Sequence, residues 1–407
     1  MHASFTADLH WNAGNAGHIR RTHLSGAQKW DRSGRGGSDV FPMSLLFCLA
    51  LSLLSLLGPV WSTRAENMDY GGVPLWINRV LGEPSVMSLQ GRSIDLSWFR
   101  ANSPHPCPAQ CVCPIQWPTA LYCDYQELSN TPETLPDRTQ YLFIQGNNIS
   151  SLSPSLFSNA TGVRWLILDH NLLKSLDQDL LQNQTELTYL FANHNHLKSI
   201  PGGLPTGLRQ LRLAHNRIST IGASALSALH RLSVLLLQGN RLKTVSEGDF
   251  SGLLSLNLLD LSGNQFKSVP KHLPRAVQQL YLSNNTLSSL DQDIFSPYPD
   301  LKYLRLGHCS LHSPKIHPNA FNLSSLIELD LSYNQLTTTP PVPTSLQYLY
   351  LEANHIQDFN LTSFCREEGP MSYSRLRILR LEGNGIRAHQ LPPDWVYCLR
   401  VLQRLYI

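Results

Sequence analysis

The chain has 407 residues, enough for two or three ordinary domains or for one elongated array. Its 32 Lys and Arg stand against 29 Asp and Glu, a balance that argues against nucleic acid or an anionic membrane surface as a partner. The 16 His residues are scattered, none at metal-ligand spacing beside an acid, so neither a metal nor a cofactor is expected.

Residues 1–42 are rich in His, Gly, Ser and Arg and carry no periodicity able to bury a core. They read as a disordered upstream extension, with Met43 as the functional start. An apolar run from Leu45 to Val60 follows, 16 residues long, where a membrane span needs roughly 20. It ends in Val60-Trp61-Ser62, a suitable signal-peptidase site, with Ala65 as a second cleavage point. Residues 43–62 are therefore expected to be a signal peptide, with Cys48 lost alongside it. Were 1–42 translated, the same run would serve as a signal-anchor, and the remainder would still be exported. Residues 63–106 lack a repeat and hold Pro84, Pro104 and Pro106, as expected of a flexible mature N-terminus. Tyr70 follows Asp69, with Glu66 near, which makes it a sulfotyrosine candidate beside the plainer reading of an exposed tyrosine.

Cys107, Cys111, Cys113 and Cys123 crowd into 17 residues before any repeat, and Cys365 and Cys398 lie near the other end. On an exported chain this reads as disulfide-stapled ends, with residues 107–138 as an N-terminal cap. Spacing alone leaves three pairings open for the first four. A zinc knuckle competes, but two ligands one residue apart with no His fit a tetrahedron poorly.

From residue 139 to 407 the template L-x-x-L-x-L-x-x-N-x-L recurs. Its Asn position falls at Asn147, Asn171, Asn195, Asn216, Asn240, Asn264, Asn285, Cys309, Asn334, Asn354 and Asn384. The intervals are 24, 24, 21, 24, 24, 21, 24, 25, 20 and 30 residues. About 11 repeats in register predict an α/β-type leucine-rich repeat solenoid. In such a fold each x-L-x-L is a strand of a curved parallel sheet on the concave face, with leucines inward and the intervening residues outward. The Asn carboxamides bond the backbone where the chain turns back. Cys309 is expected as a buried free thiol in that row. Prolines 201, 205, 270, 274, 340, 341 and 343 predict irregular or 3-10 structure on the convex side. The end coils need caps, and Cys365 with Cys398 brackets the last long repeat, whose insertion Cys365–Ser374 would bulge outward. With no apolar span after the array, no membrane span is expected in the mature chain.

The cluster Cys107-x3-Cys111-x-Cys113-x9-Cys123, the 24, 24, 21 rhythm and the extended late repeat resemble the small leucine-rich repeat proteoglycans. The x9 spacing is similar to class II, the lumican, fibromodulin and keratocan group. Trp165–Leu173, Ser324–Asn334, Leu391-Pro-Pro-Asp394 and Cys398-Leu-Arg-Val401 lean toward its lumican branch. The resemblance covers about residues 105–407. It implies the pairs Cys107–Cys113, Cys111–Cys123 and Cys365–Cys398. It also implies fibrillar collagen bound on the concave face to limit and space fibrils, and N-linked glycans extended into keratan sulfate. The chain departs from the group in offering Tyr70 alone where a tyrosine cluster is usual, which puts a polyanionic N-terminus in doubt.

The outward residue between paired leucines is Phe143, Ile167, Phe191, Arg212, Leu236, Asp260, Tyr281, Arg305, Asp330, Tyr350 and Arg380 in turn, all expected to face solvent. Asp260 matches the acid that the resemblance assigns to collagen contact, and Glu328, Asp330, Glu352 and Glu382 extend an acidic lining. With Arg212, Tyr281, Arg305 and Tyr350 these make the candidate collagen site, suited to charge-assisted bonds with collagen's Lys and Arg. The sequons Asn148, Asn159, Asn183, Asn284, Asn322 and Asn360 are glycosylation candidates, none at an outward strand position. A second function class uses the same face to sequester growth factors or pattern molecules, as a secreted ligand trap or co-receptor. A homodimer through that face is a further option. No nucleophile elbow, phosphate loop or paired-acid motif points to an enzyme.

Overall fold

The computed structural model describes residues 101–365 and 373–407. Met43, the apolar run, Tyr70 and the middle of the Cys365–Ser374 insertion lie outside the described residues.

Thirteen strands of three residues form one parallel sheet in which chain order is spatial order. The cap supplies β1, Ala120–Tyr122. The repeats supply β2 Tyr141–Phe143, β3 Trp165–Ile167, β4 Tyr189–Phe191, β5 Gln210–Arg212, β6 Val234–Leu236 and β7 Leu258–Asp260. They continue with β8 Gln279–Tyr281, β9 Tyr303–Arg305, β10 Glu328–Asp330, β11 Tyr348–Tyr350 and β12 Ile378–Arg380. A last strand, β13 Arg404–Tyr406, closes the far edge. The Asn pattern marks β2 to β12, and the two ends add one strand each. Pairing keeps a constant register: Leu142, Leu166, Leu190, Leu211, Leu235 and Leu259 stand side by side at the strand centres. A one-residue slip would turn these leucines out to solvent, so burial itself sets the register.

The convex side holds only short helical pieces, among them α1 Gln178–Gln182, capped by Asp177, whose carboxylate accepts from the Asp179 N–H at 2.9 Å. In the short coils a proline opens the turn: the N–H groups of Leu208 and Leu346 donate to the carbonyls of Pro205 and Pro343 at 3.1 and 3.0 Å. Proline pre-sets the φ that such turns need and gives up an N–H that has no partner there.

The asparagine row works by one repeated geometry. Asn216 Nδ2 donates to Ala192 O of the preceding coil at 2.9 Å and to Leu213 O of its own coil at 3.0 Å. Its Oδ1 accepts from the Leu197 N–H at 3.0 Å. Asn240, Asn264 and Asn285 repeat all three bonds. Cys309 fills its slot with a free thiol that donates to Leu282 O at 3.2 Å, and burial pushes that thiol up to about 12, so it stays protonated and inert.

The residue just before each ladder position takes left-handed backbone, from φ 52° at His194 to 75° at Gly383. This lets the chain leave the strand sharply enough to aim the carboxamide inward. Gly239 is required there, because a Cβ would come within 2.5 Å of His215 Nδ1. At Gly146 a Cβ would meet the Tyr125 ring at 2.3 Å.

Three disulfides close the ends: Cys107–Cys113, Cys111–Cys123 and Cys365–Cys398. Residues 101–106, read from sequence as part of a flexible stretch, are held: Ser103 is buried, and Arg138 donates to the carbonyls of Pro104, His105 and Pro106.

Candidate functional site: the concave face

The outward positions of the strands make a continuous floor, and the structure divides it in two. From β1 to β4 the floor is aromatic. Trp117 stands 4.7 Å from Tyr141, Tyr122 stacks on Phe143 at 4.6 Å, and Trp165 meets Tyr141 and Tyr189 edge-on at 5.0 and 5.2 Å. The expectation that all outward positions face solvent is corrected here. Phe143, Ile167 and Phe191 are 3, 1 and 0 % exposed, and Leu236 is buried too. Arg212, a candidate contact, is 0 % exposed; its guanidinium lies 4.3 Å over the Phe191 ring and donates to Gln210 Oε1. It therefore presents no surface to a ligand in this conformation.

From β7 onward the floor is polar and more open. Asp260 Oδ1 accepts from the Ser262 N–H at 2.9 Å; burial raises its carboxyl, and the Ser262 bonds and the Arg305 charge oppose that rise. Arg305 lies 4.7 Å over the Tyr281 ring and grips Glu328 Oε1 through Nε and Nη2 at 3.1 and 2.9 Å. Burial pushes the Tyr281 hydroxyl up to about 12, so it remains a donor, and it bonds Gln279 Oε1 at 2.9 Å. Asp330 Oδ1 accepts from Ser332 N and Oγ. At the far end Arg380 bridges Glu352, at 3.3 Å, and Glu382. Burial first, then the Asp330 and Glu382 charges, push Glu352 up to about 7 against the pull of Arg380. Glu352 Oε2 and Glu382 Oε2 are buried and have no hydrogen-bond partner among the described residues. The structure thus brings Asp260, Tyr281, Arg305, Glu328, Asp330, Tyr350 and Glu352 onto one half-face, with Arg212 outside it.

Off this face, Asn148, Asn159, Asn183, Asn284, Asn322 and Asn360 are all exposed. Asn360 Oδ1 accepts from the N–H and hydroxyl of its own Thr362 at 3.0 and 2.8 Å.

Sequence reasoning missed the edge formed by the left-handed residues. His170, His194 and His215 stack there with centroids 4.2 and 4.4 Å apart. The signal was present: Gly, His or Asn precedes every ladder position except Asn334 and Asn354, and these types accept positive φ best. Burial first, then the neighbouring imidazoles, pull His194 down to about 4; burial and His215 lower His170. A histidine held below its unfolded value supports folding fully above about pH 6.5 and loses that support as pH falls toward its folded value. Glu352, held above its unfolded value, acts with the opposite sign over much of the same window. His194→Asn isolates the histidine effect. Its thermal midpoint relative to the wild type should rise between about pH 7.5 and about pH 5, and a constant difference would exclude the stack as the cause.

Residues 137–197 and 206–266 match the family model described as Leucine rich repeat, and 325–344 match a second of that description. The chain is 42 % identical to lumican of Homo sapiens over 309 residues, 75 % of this chain and 90 % of that protein. It is 42 % identical to fibromodulin of Bos taurus over 306 residues, 75 % and 81 % of the two chains. The chain belongs to the class II small leucine-rich repeat proteoglycans. To lumican of Bos taurus it is 38 % identical over 358 residues, covering 87 % of this chain and 97 % of that one. A chain from the solved octameric complex of Latrophilin 3, Unc5D and FLRT2 (LRR) shares the fold, with a TM-score of 0.57 and 27 % identity over 73 % of this chain and 82 % of that one. The members of this family are not enzymes, and membership implies, at the family level, a collagen-binding role in the extracellular matrix. Among its described residues no helix is long and apolar enough to cross a membrane.

Proposed function

We propose that this proteoglycan binds fibrillar collagen through the polar half of its concave face, β7 to β12, and so limits and spaces fibril growth. The observation that carries the reading is a row of acids on that half, Asp260, Glu328, Asp330, Glu352 and Glu382, interleaved with tyrosines. Two of their carboxylate oxygens still await a donor. Collagen is a rod whose Lys and Arg side chains project outward, and ammonium or guanidinium donors arriving along it would meet that row with charge-assisted bonds. A cationic partner would also draw Glu352 into its ionised form near neutral pH. The six exposed sequons are proposed to carry the N-linked glycans, clear of the contact face.

The test is solid-phase binding of the secreted chain to fibrillar collagen, with a fibril-turbidity assay beside it. Asp260→Asn and Glu352→Gln should each weaken binding about tenfold, the worth of one charge-assisted bond. Wild-type protein that fails to bind collagen, or binding that both variants leave unchanged, overturns the reading.

A further inference from the structure

The near balance of charge over the whole chain hides an uneven distribution along it. Residues 187–246, which hold β4, β5 and β6, contain no Asp or Glu at all but 7 Lys and Arg. The fold gathers part of this charge on one flank. Two places after each ladder position stands a buried apolar residue: Leu173, Leu197, Ile218, Leu242 and Phe266 in turn. Its neighbours on either side face outward. Backbone bonds keep these turns in register, since the N–H groups of Arg217, Arg241 and Gln265 donate to the carbonyls of Leu197, Ile218 and Leu242 on the preceding coil, each at 2.8 Å.

The outward places thus carry Lys174, Lys198, Arg217, Arg241, Lys243 and Lys267, all exposed, with at least one from each coil of β3 to β7. None of the six enters an ion pair among the described residues. On the coils of β8 and β10 the same places hold Thr286 and Ser288, then Gln335 and Thr337, so the repeat itself does not demand the charge.

We propose that this flank, beside β3 to β7, binds a linear sulfated polysaccharide. At about 4.8 Å per coil the row runs roughly 19 Å and is only one or two side chains wide. Such a strip fits an extended chain with sulfates spaced along it, which Lys and Arg meet with charge-assisted bonds and release of counterions. A bilayer presents a plane instead. Single-stranded nucleic acid calls for aromatic rings on which its bases stack, and these outward places hold no Phe, Tyr or Trp. The row is also left clear, because no sequon lies between Asn183 and Asn284. It stands off the concave face, so the inference is independent of the collagen reading.

The test measures binding of the full secreted chain to immobilised heparin at about 0.15 M salt. Arg241→Glu/Lys243→Glu should bind at least about tenfold more weakly, with a shallower dependence on salt. Lys315→Glu/Arg404→Glu makes the same change of charge at exposed residues outside these coils, and should alter binding less than about twofold. Both variants should keep the wild-type thermal midpoint; if the first does not, Arg241→Gln/Lys243→Gln takes its place. Desulfated heparin should bind the wild type at least about tenfold more weakly than heparin. Wild-type protein that ignores heparin overturns the proposal, as do equal losses in the two variants or equal binding of the desulfated chain. Tighter binding to phosphatidylserine vesicles or to single-stranded DNA than to heparin would overturn it in favour of a membrane or a nucleic acid.

Discussion

Replacing Asn216 with leucine should lower the unfolding free energy by about 2–6 kcal/mol. The substitution keeps the branched shape, with bulkier methyl groups in place of the carboxamide, and leaves the Leu197 N–H and the Ala192 carbonyl buried between two coils with no partner. Each such group costs about 1–3 kcal/mol when stranded. Solvent cannot rescue them, since Leu197 is 0 % exposed and both neighbouring coils are sealed by leucine. A solenoid coil meets only its two neighbours, so a fault in the middle weakens both interfaces at once. Urea denaturation followed by circular dichroism measures the effect. A loss below about 1 kcal/mol would mean that the asparagine row is ornament and leucine packing alone holds the coils.

The second large effect is expected from Cys111→Ser/Cys123→Ser. The bond joins residues 12 apart, and loop-closure entropy for that span is worth about 3 kcal/mol. Both sulfurs are buried, and the bond fixes Val112 against Tyr122, whose N–H and carbonyl exchange hydrogen bonds with it at 3.0 and 2.7 Å. Without it β1 has only β2 to hold it, and the leucines of the first coil lose their lid. Hydrogen exchange should therefore open from this end: amides of β1 and β2 should lose protection by at least tenfold while those of β7 to β9 keep theirs. Uniform loss along the array would show that the molecule unfolds as one unit and that the cap has no local role.

Much of this was legible in the residues. Leucines at fixed intervals give the side that faces inward, because a strand alternates strictly and every coil has the same problem to solve. The Asn position announces the buried turn, since few side chains both donate and accept in so little space. Cys309 could be placed as an inert thiol for the same reason. The cysteine spacing at residues 107–123 carried the family, and with it the pairing that spacing alone left open.

The alternation that places a side chain on the concave side says nothing of what stands next to it, because those neighbours come from coils some twenty residues away. Phe143, Ile167, Phe191 and Arg212 occupy the same repeat position as Arg305 and Tyr350, yet the first four are buried and Arg305 is exposed. Aromatic rings pack on one another at one end of the floor, while paired charges line the other. The extra strands β1 and β13 were hidden likewise, since they carry no ladder asparagine and exist because an edge of the sheet offers them backbone groups to pair with. The residues themselves determined the repeat, its inward face and its sealed ends. The tertiary structure alone decided which half of the open face a partner can reach, because exposure is set by the coils on either side.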